Sequence, residues 1–406
     1  MSASTDRFDV AVVGAGPIGA ATARHLADQG ARTVVIGPAE PATHIDHEGV
    51  WAGHYDQGRM GHVLEVPLVA ALLASRSIDR FAELAERTGI SFTKPSHSLA
   101  VMPRSLHDPD LSEWFDLDRF AGNAADVGRP VERLDEDQLR AAYPRLRFEP
   151  GHVAVVQRDA YIVNPRDLTA AELAAATAAG ATLVRDEVVS TSIAGTGRRV
   201  TARSGATWTA DTVVLATGAS TNAGGLLDRR LAMDTLGATV VLVEAPDPVA
   251  DDMPAIMYLK QRDGEIRYGG IVMSPLRYPD GRRYLKCSGD SVLANRLTSR
   301  EDITAWIRTG GSTDDIAPSL AMLRDLLAPE AFAALGPAHV RPCLVSANHS
   351  GHPYLDHADD NLIVVVDGDR GVMAADELGR LTAGFALTAR WTDGIPHRLL
   401  QAEWSC

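Results

Sequence analysis

The chain has 406 residues, 45% hydrophobic and 23% charged, which is globular material sufficient for two domains or one large composite fold. Its net charge of −14 excludes DNA and acidic membrane surfaces as partners and leaves cationic or zwitterionic small molecules unopposed. Cys287, Cys343 and Cys406 form no CxxC pair, MSASTDRFDV carries no signal sequence and no apolar run is long enough to span a bilayer, so a soluble cytoplasmic protein is expected.

Residues 8–13 (FDVAVV) read as a buried strand. Gly14-Ala15-Gly16-Pro17-Ile18-Gly19 follows, then a small-residue helix over 20–30 and a second strand over 33–36. In this strand, turn, helix and strand context, GxGxxG signifies a dinucleotide site. Gly14 permits the tight turn, Gly16 admits a pyrophosphate to the backbone, and Gly19 lets helix and strand approach. The helix N-terminus supplies free N–H donors for the phosphates. The acid expected at the end of the second strand is missing. Gly37 stands there, leaving Glu40, a water or a backbone group to meet the ribose.

Alternation of strand and helix does not continue. A helix is expected over 78–88 and a strand over 90–102, followed by a polar connector, DLDRFAGNAADVGRP. A strand over 153–156 precedes an Ala-rich helix that opens at Asn164-Pro165-Arg166-Asp167, with Asp167 as cap, and closes at Gly180. Residues 181–184 start a strand pair, and 211–215 form another buried strand ending in Ala216-Thr217-Gly218-Ala219. The histidine-rich run Thr43-His44-Ile45-Asp46-His47-Glu48 fits no closed metal site.

Taken in order, GAGPIGAATARHLADQG, DAYIVNPRDLTAAELAAATAAGATL, DTVVLATGAS and NLIVVVDGDRGVMAADELGRL make the whole chain resemble one family. It is the D-amino-acid oxidase, glycine oxidase and monomeric sarcosine oxidase (N-methyltryptophan oxidase-like) family of FAD-dependent oxidoreductases. The resemblance implies an α/β (α+β overall) architecture. A Rossmann-like FAD-binding domain would be assembled from residues 1–90, 150–225 and 330–406. An antiparallel-sheet substrate domain would come from 91–149 and 226–329, with Trp51, Tyr258 and residues 240–243 suited to that second sheet.

The resemblance also implies where FAD is held: at Gly14, Gly16, Pro17, Ile18, Gly19, Glu40, Gly53, Val188, Ala216, Thr217 and Gly218, and at Gly368, Arg370, Gly371, Val372 and Met373 of the last turn. The implied reaction oxidises a C–N bond of a small amine or amino acid by hydride transfer to flavin N5. It gives an imine and, with O2, hydrogen peroxide. An FAD dehydrogenase with another acceptor and a non-catalytic dinucleotide-binding protein are the alternatives; the oligomeric state stays open.

Three further segments carry chemistry through the resemblance. Arg341-Pro342-Cys343-Leu344 resembles the segment whose cysteine bonds to the flavin 8α carbon, with Arg341 lowering the thiol pKa. A buried, inert thiol is the other reading. Tyr284-Leu285-Lys286-Cys287-Ser288-Gly289 resembles the strand that places a lysine over flavin N5 to assist O2; a solvated surface lysine is its alternative. Gly53-His54-Tyr55-Asp56-Gln57-Gly58-Arg59-Met60 resembles the S-H-G-D-T-R-I stretch beside the flavin, making Arg59 and His54 catalytic candidates. Two departures bear on substrate: His62 and Met373 occupy the positions of the family's carboxylate-gripping Arg and Lys. Simple N-methyl amino acid specificity therefore does not transfer, and Tyr258, Arg267 and Arg370 remain as substrate candidates.

Overall fold

A computed structural model describes residues 7–45, 47–106, 114–246, 253–288 and 295–405. Asp46 and Gly289, members of two motifs above, lie outside the described residues. The chain begins with β1 (Arg7–Val13), α1 (Pro17–Asp28), β2 (Thr33–Ile36), β3 (Arg59–Gly61), α2 (Leu68–Thr88) and β4 (Thr93–Pro103). It continues with α3 (Leu117–Asp126), β5 (Glu132–Leu134), α4 (Glu136–Ala142), β6 (His152–Val163), α5 (Pro165–Ala178), β7 (Thr182–Val184), β8 (Val188–Ala194), β9 (Gly197–Ala202) and β10 (Thr207–Leu215). Then come β11 (Met233–Glu244), β12 (Ala255–Arg262), β13 (Glu265–Arg277), β14 (Arg283–Ser288), β15 (Arg296–Leu297), α6 (Arg300–Thr309), α7 (Ile316–Leu326) and α8 (Pro329–Ala333). The last elements are β16 (Ala338–Asn348), β17 (Tyr354–Asp359), β18 (Leu362–Val366) and α9 (Ala375–Thr388).

Two sheets divide these strands. The first runs β17-β18-β10-β1-β2-β7, with the β8–β9 hairpin attached through β9 to β10. Its centre is parallel, β1 lying between β10 and β2. Strands covered on both faces read as unbroken apolar runs. Val10 and Val12 of β1 pack toward α1 and α9 with Leu26, Leu378 and Phe385. Ala11 and Val13 pack on the opposite face with Leu215, Val364 and Val366. Each such Val or Leu, taken out of water, contributes about 1.5–3 kcal/mol.

The second sheet runs β15-β11-β14-β13-β12-β4-β6-β3, with β16 on β11 and β5 on β6. Its core joins Val156, Val241, Ile256 and Leu285 to Leu323 and Leu326 of α7. β6 and β16, which the sequence reading grouped with the nucleotide domain, are hydrogen-bonded into this sheet. Their partners are too distant in sequence for composition to reveal. The α5 cap also differs from expectation: Asn164, not Asp167, accepts from the first-turn N–H groups. Among the described residues no helix is long and apolar enough to cross a membrane.

Candidate active site

The glycine turn joins β1 to α1. Gly14 has φ +108°, and a Cβ there would lie 2.2 Å from Ala216 O. A Cβ on Gly19 would lie 1.9 Å from Gly14 O, so the protein's own packing demands glycine at both positions. Gly16 is different. A Cβ there would meet only the His54 ring, Nδ1 at 3.5 Å, an ordinary contact, so the protein's own packing does not demand glycine at this position. The first turn of α1 has no side-chain cap and no acidic residue. Its free N–H donors and positive dipole end await an anion.

A cleft starts at this turn and runs between the sheets. Its walls are the glycine turn, residues 49–55, 186–188, Ala216 to Ser220, the Cys343 to Ser346 stretch of β16, and the turn after β18. Trp51, assigned to the second sheet from sequence, lines this cleft instead, edge-on to Tyr55. Pro17, Ile18, Gly53, His54, Arg59, Val188, Thr217, Gly218, Gly371 and Val372 all line it. Burial, with Arg166, Arg59 and Arg185 nearby, pushes the His54 imidazole down to about 3, so it faces the Gly16 turn as a neutral ring.

Arg59 meets Lys286 and Cys343, both more than 200 positions further along the chain, around Asp56. Asp56 Oδ2 accepts from Arg59 Nη1 at 2.7 Å and from Lys286 Nζ at 2.5 Å. Its Oδ1 accepts from the Tyr278 hydroxyl at 3.0 Å. Arg59 Nη2 donates to Gly53 O at 2.7 Å and lies 3.6 Å from Cys343 Sγ. Burial opposes ionisation of Asp56, but the Lys286 and Arg59 charges overcome it and hold the carboxyl below its ordinary value. Burial raises the Cys343 thiol, partly countered by Arg59 and Lys286. The cation at the thiol is therefore Arg59; Arg341, expected in that role, is exposed on β16. Lys286 is neither on the surface nor in the cleft wall. Its three N–H groups point to Asp56, Gly58 O at 2.8 Å and Gln57 O at 3.4 Å.

Several expected residues sit elsewhere. Tyr258 is in the second sheet's core, edge-on to Phe148 and His152. Arg267 points to solvent beside Glu265, at 2.8 Å. His62 is buried against Ser98 at 3.2 Å, and Met373 packs with Phe81 and Leu168. Arg370 donates to Glu65 at 2.6 Å and Gly368 O at 3.0 Å, and Gly368 backs onto Asn348. Glu40 is bound by Arg166 at 2.6 and 2.8 Å, outside the cleft wall.

Other functional candidates escaped the sequence reading. Asp367 and Asp369 line the cleft near Cys343. Asp367 accepts from Ser346 Oγ at 2.7 Å. Asp369 holds a left-handed backbone, φ +77°, the kind of strain that clusters at functional sites. It is open to the cleft and ringed by protein elsewhere. That confinement, with Asp367 and Glu65 close by and Arg370 and Arg59 opposing, pushes its carboxyl up to about 6. The signal available was the D-G-D in VVVDGDRG, two acids where a buried strand ends.

The family model for FAD dependent oxidoreductases (DAO) matches residues 9–384. The chain belongs to that family. A stretch of 253 residues is 31% identical to glycine oxidase of Geobacillus kaustophilus, covering 60% of this chain and 64% of the relative. Another, of 184 residues, is 29% identical to monomeric sarcosine oxidase of Streptomyces avermitilis, covering 44% of each. The matched parts thus span less than two thirds of either relative. Among solved structures, NikD, described as an unusual amino acid oxidase essential for nikkomycin biosynthesis, superposes with a TM-score of 0.78. It is 20% identical, with 99% of both chains covered. Glycine oxidase from Geobacillus kaustophilus superposes at 0.70 with 22% identity over 97% of this chain and 98% of its own. These superpositions show a shared fold.

The residues fit FAD. A glycine that the protein's own packing does not require and the uncapped α1 suit a pyrophosphate, and the cleft continues from there to Arg59, Cys343 and the last turn.

Proposed function

We propose that this chain oxidises the C–N bond of a small amine whose recognition does not depend on a carboxylate. One observation carries this reading: the pairing of charges along the cleft. Among the described residues the cations that line it each hold a carboxylate already, Arg59 sharing Asp56 with Lys286 and Arg300 sharing Glu187 with Arg203. Asp367 and Asp369 line it without an ion pair to any described residue. A carboxylate substrate would enter a site with no uncommitted cation; an ammonium would meet two acids.

FAD, when bound, supplies the hydride acceptor. The chain's residues bind and orient. Asp367, fixed by Ser346, and Asp369 hold the substrate's cationic group. Arg59 is a fixed positive charge at the Cys343 edge, where preorganised electrostatics act without rearrangement. Trp51 and Tyr55 narrow the cleft against water. Anaerobic addition of an amine panel tests the proposal: carboxylate-free amines and diamines bleach the flavin band, and sarcosine does not. Bleaching by N-methyl amino acids alone would overturn it.

A thioether between FAD and Cys343 belongs to the same reading, supported by a thiol that lines the cleft next to Arg59. After acid precipitation the yellow colour should stay with the pellet; colour wholly in the supernatant rejects the bond.

The Lys286 geometry favours a second reading for the acceptor. With all three donors engaged away from the cleft, this lysine offers no hydrogen bond to O2, which favours a quinone or carrier protein. Stoichiometric peroxide release in air would return the reading to an oxidase.

A further inference from the structure

Dinucleotide folds of this kind place an acid at the end of the second strand, where it accepts from a ribose hydroxyl. Here the position is Gly37, and an acid has no room there. A Cβ on Gly37 would lie 2.5 Å from Ala15 N and 2.7 Å from Ala15 Cβ. Glu40 is committed to Arg166.

The neighbouring strand offers the substitute. β7 lies parallel to β2 with Ile36 beside Val184, and Gly37 N donates to Val184 O at 3.0 Å. The chain leaving β7 therefore passes the same end of the sheet, and Asp186, Glu187 and Val188 line the cleft with Gly37 and Pro38. Asp186 turns back on its own chain, accepting from Glu187 N at 2.7 Å.

Glu187 is held in place by two arginines. Arg203 grips it from one side, Nε to Oε2 at 3.1 Å and Nη2 to Oε1 at 2.9 Å. Arg300, from the first turn of α6, reaches Oε1 at 2.7 Å. A carboxylate has about four lone-pair positions, so about one is left, on Oε2. That oxygen lies 3.8 Å from where a Cβ on Gly49, also a lining residue of the cleft, would lie.

We propose that Glu187 is the ribose-binding acid of this chain, accepting a hydrogen bond from a hydroxyl of the adenosine ribose of FAD. The proposal rests on the FAD reading above and adds the identity of the group that replaces the missing acid. Arg203 and Arg300 fix the carboxylate so that it meets the sugar without further ordering.

Full-length apo-protein titrated with ADP, 2′-deoxy-ADP and 3′-deoxy-ADP tests this. The unaltered protein should prefer ADP over one deoxy analogue by about tenfold or more, as expected for a hydrogen bond to a charged group. In Glu187→Ala that preference should fall to near one, and Glu187→Gln should keep part of it. Because each preference is a ratio within one protein, a general loss of affinity does not imitate the result. An unaltered protein that binds ADP and both analogues equally overturns the proposal even if the variants fail to fold, as does an undiminished preference in Glu187→Ala. Binding of neither FAD nor ADP would instead overturn the FAD reading and the proposal with it.

Discussion

Asp56 gathers a guanidinium, an ammonium and a phenol in a pocket that leaves it 4% exposed. Removing one partner of a buried ion pair leaves the other uncompensated, which costs about 3–5 kcal/mol. Asp56→Asn should therefore lose stability on that order in urea unfolding. The Asp56→Asn/Lys286→Met double variant should lose less than the sum of the two single changes, because the ammonium left unpaired is gone. Arg59, Lys286 and Cys343 were legible as motifs, each with local residues that carry the resemblance. Asp56 was printed inside one of those motifs, yet nothing local announces that its partner lies 230 positions away. His62 and Met373 were legible as departures. That they turn from the cleft into apolar and hydrogen-bonded surroundings depends on packing that spacing does not encode.

At the scale of elements, four helices are tied by buried charge. Arg24 of α1 donates to Glu172 of α5 and to Asp376 of α9, both at 2.5 Å. Arg80 of α2 binds the same Asp376 and reaches Glu377 at 2.6 Å. Burial, with Asp376 close by and Arg24 only partly compensating, pushes the Glu172 carboxyl up to about 7. A carboxyl raised in the folded state binds a proton there that the unfolded chain has already released. Its contribution to stability is full below the ordinary carboxylate range and is lost as pH rises toward about 7. Glu172→Gln, which cannot lose that proton, should be increasingly favoured relative to the parent between about pH 5 and pH 7. Thermal melts across that range check the sign; a difference that widens in the parent's favour would contradict it. α1 and α5 were legible because their small residues and closing glycines are local signals, but α2 begins at Leu68, ten residues before the expected 78–88, and α3 lies in the stretch read as a polar connector, where its apolar face is too short to stand out. The sheet membership of β6 and β16 was not, because strand pairing is decided by partners elsewhere in the chain.

At the scale of the molecule, the nucleotide cleft is walled by both sheets, so its ligand acts as a fastener between them. A ligand at a hundred times its dissociation constant stabilises by about 2.7 kcal/mol. Adding FAD to apo-protein should raise the melting temperature in one cooperative step. FMN, which lacks the adenosine half that the Gly14 turn and residues 186–188 would hold, should raise it much less. Equal shifts would mean that the glycine turn contributes nothing to binding. The order of the whole chain, with glycine turn first and the β18 turn last, was legible from its motifs. The charge arrangement inside the cleft was not, since its charged residues come from four separate stretches.

β16 is paired with β11 from Ala338 to Asn348, and the chain then crosses at residues 349–353 into β17 of the other sheet. Cys343 sits midway along that strand. The chain also passes between the sheets from β2 to β3, from β6 to β7 and from β10 to β11, and the 349–353 crossing is the one that carries the thiol's own strand. If the flavin is tethered there, opening the cleft to admit substrate also drags the ring, so that access and cofactor placement are one mechanical coordinate.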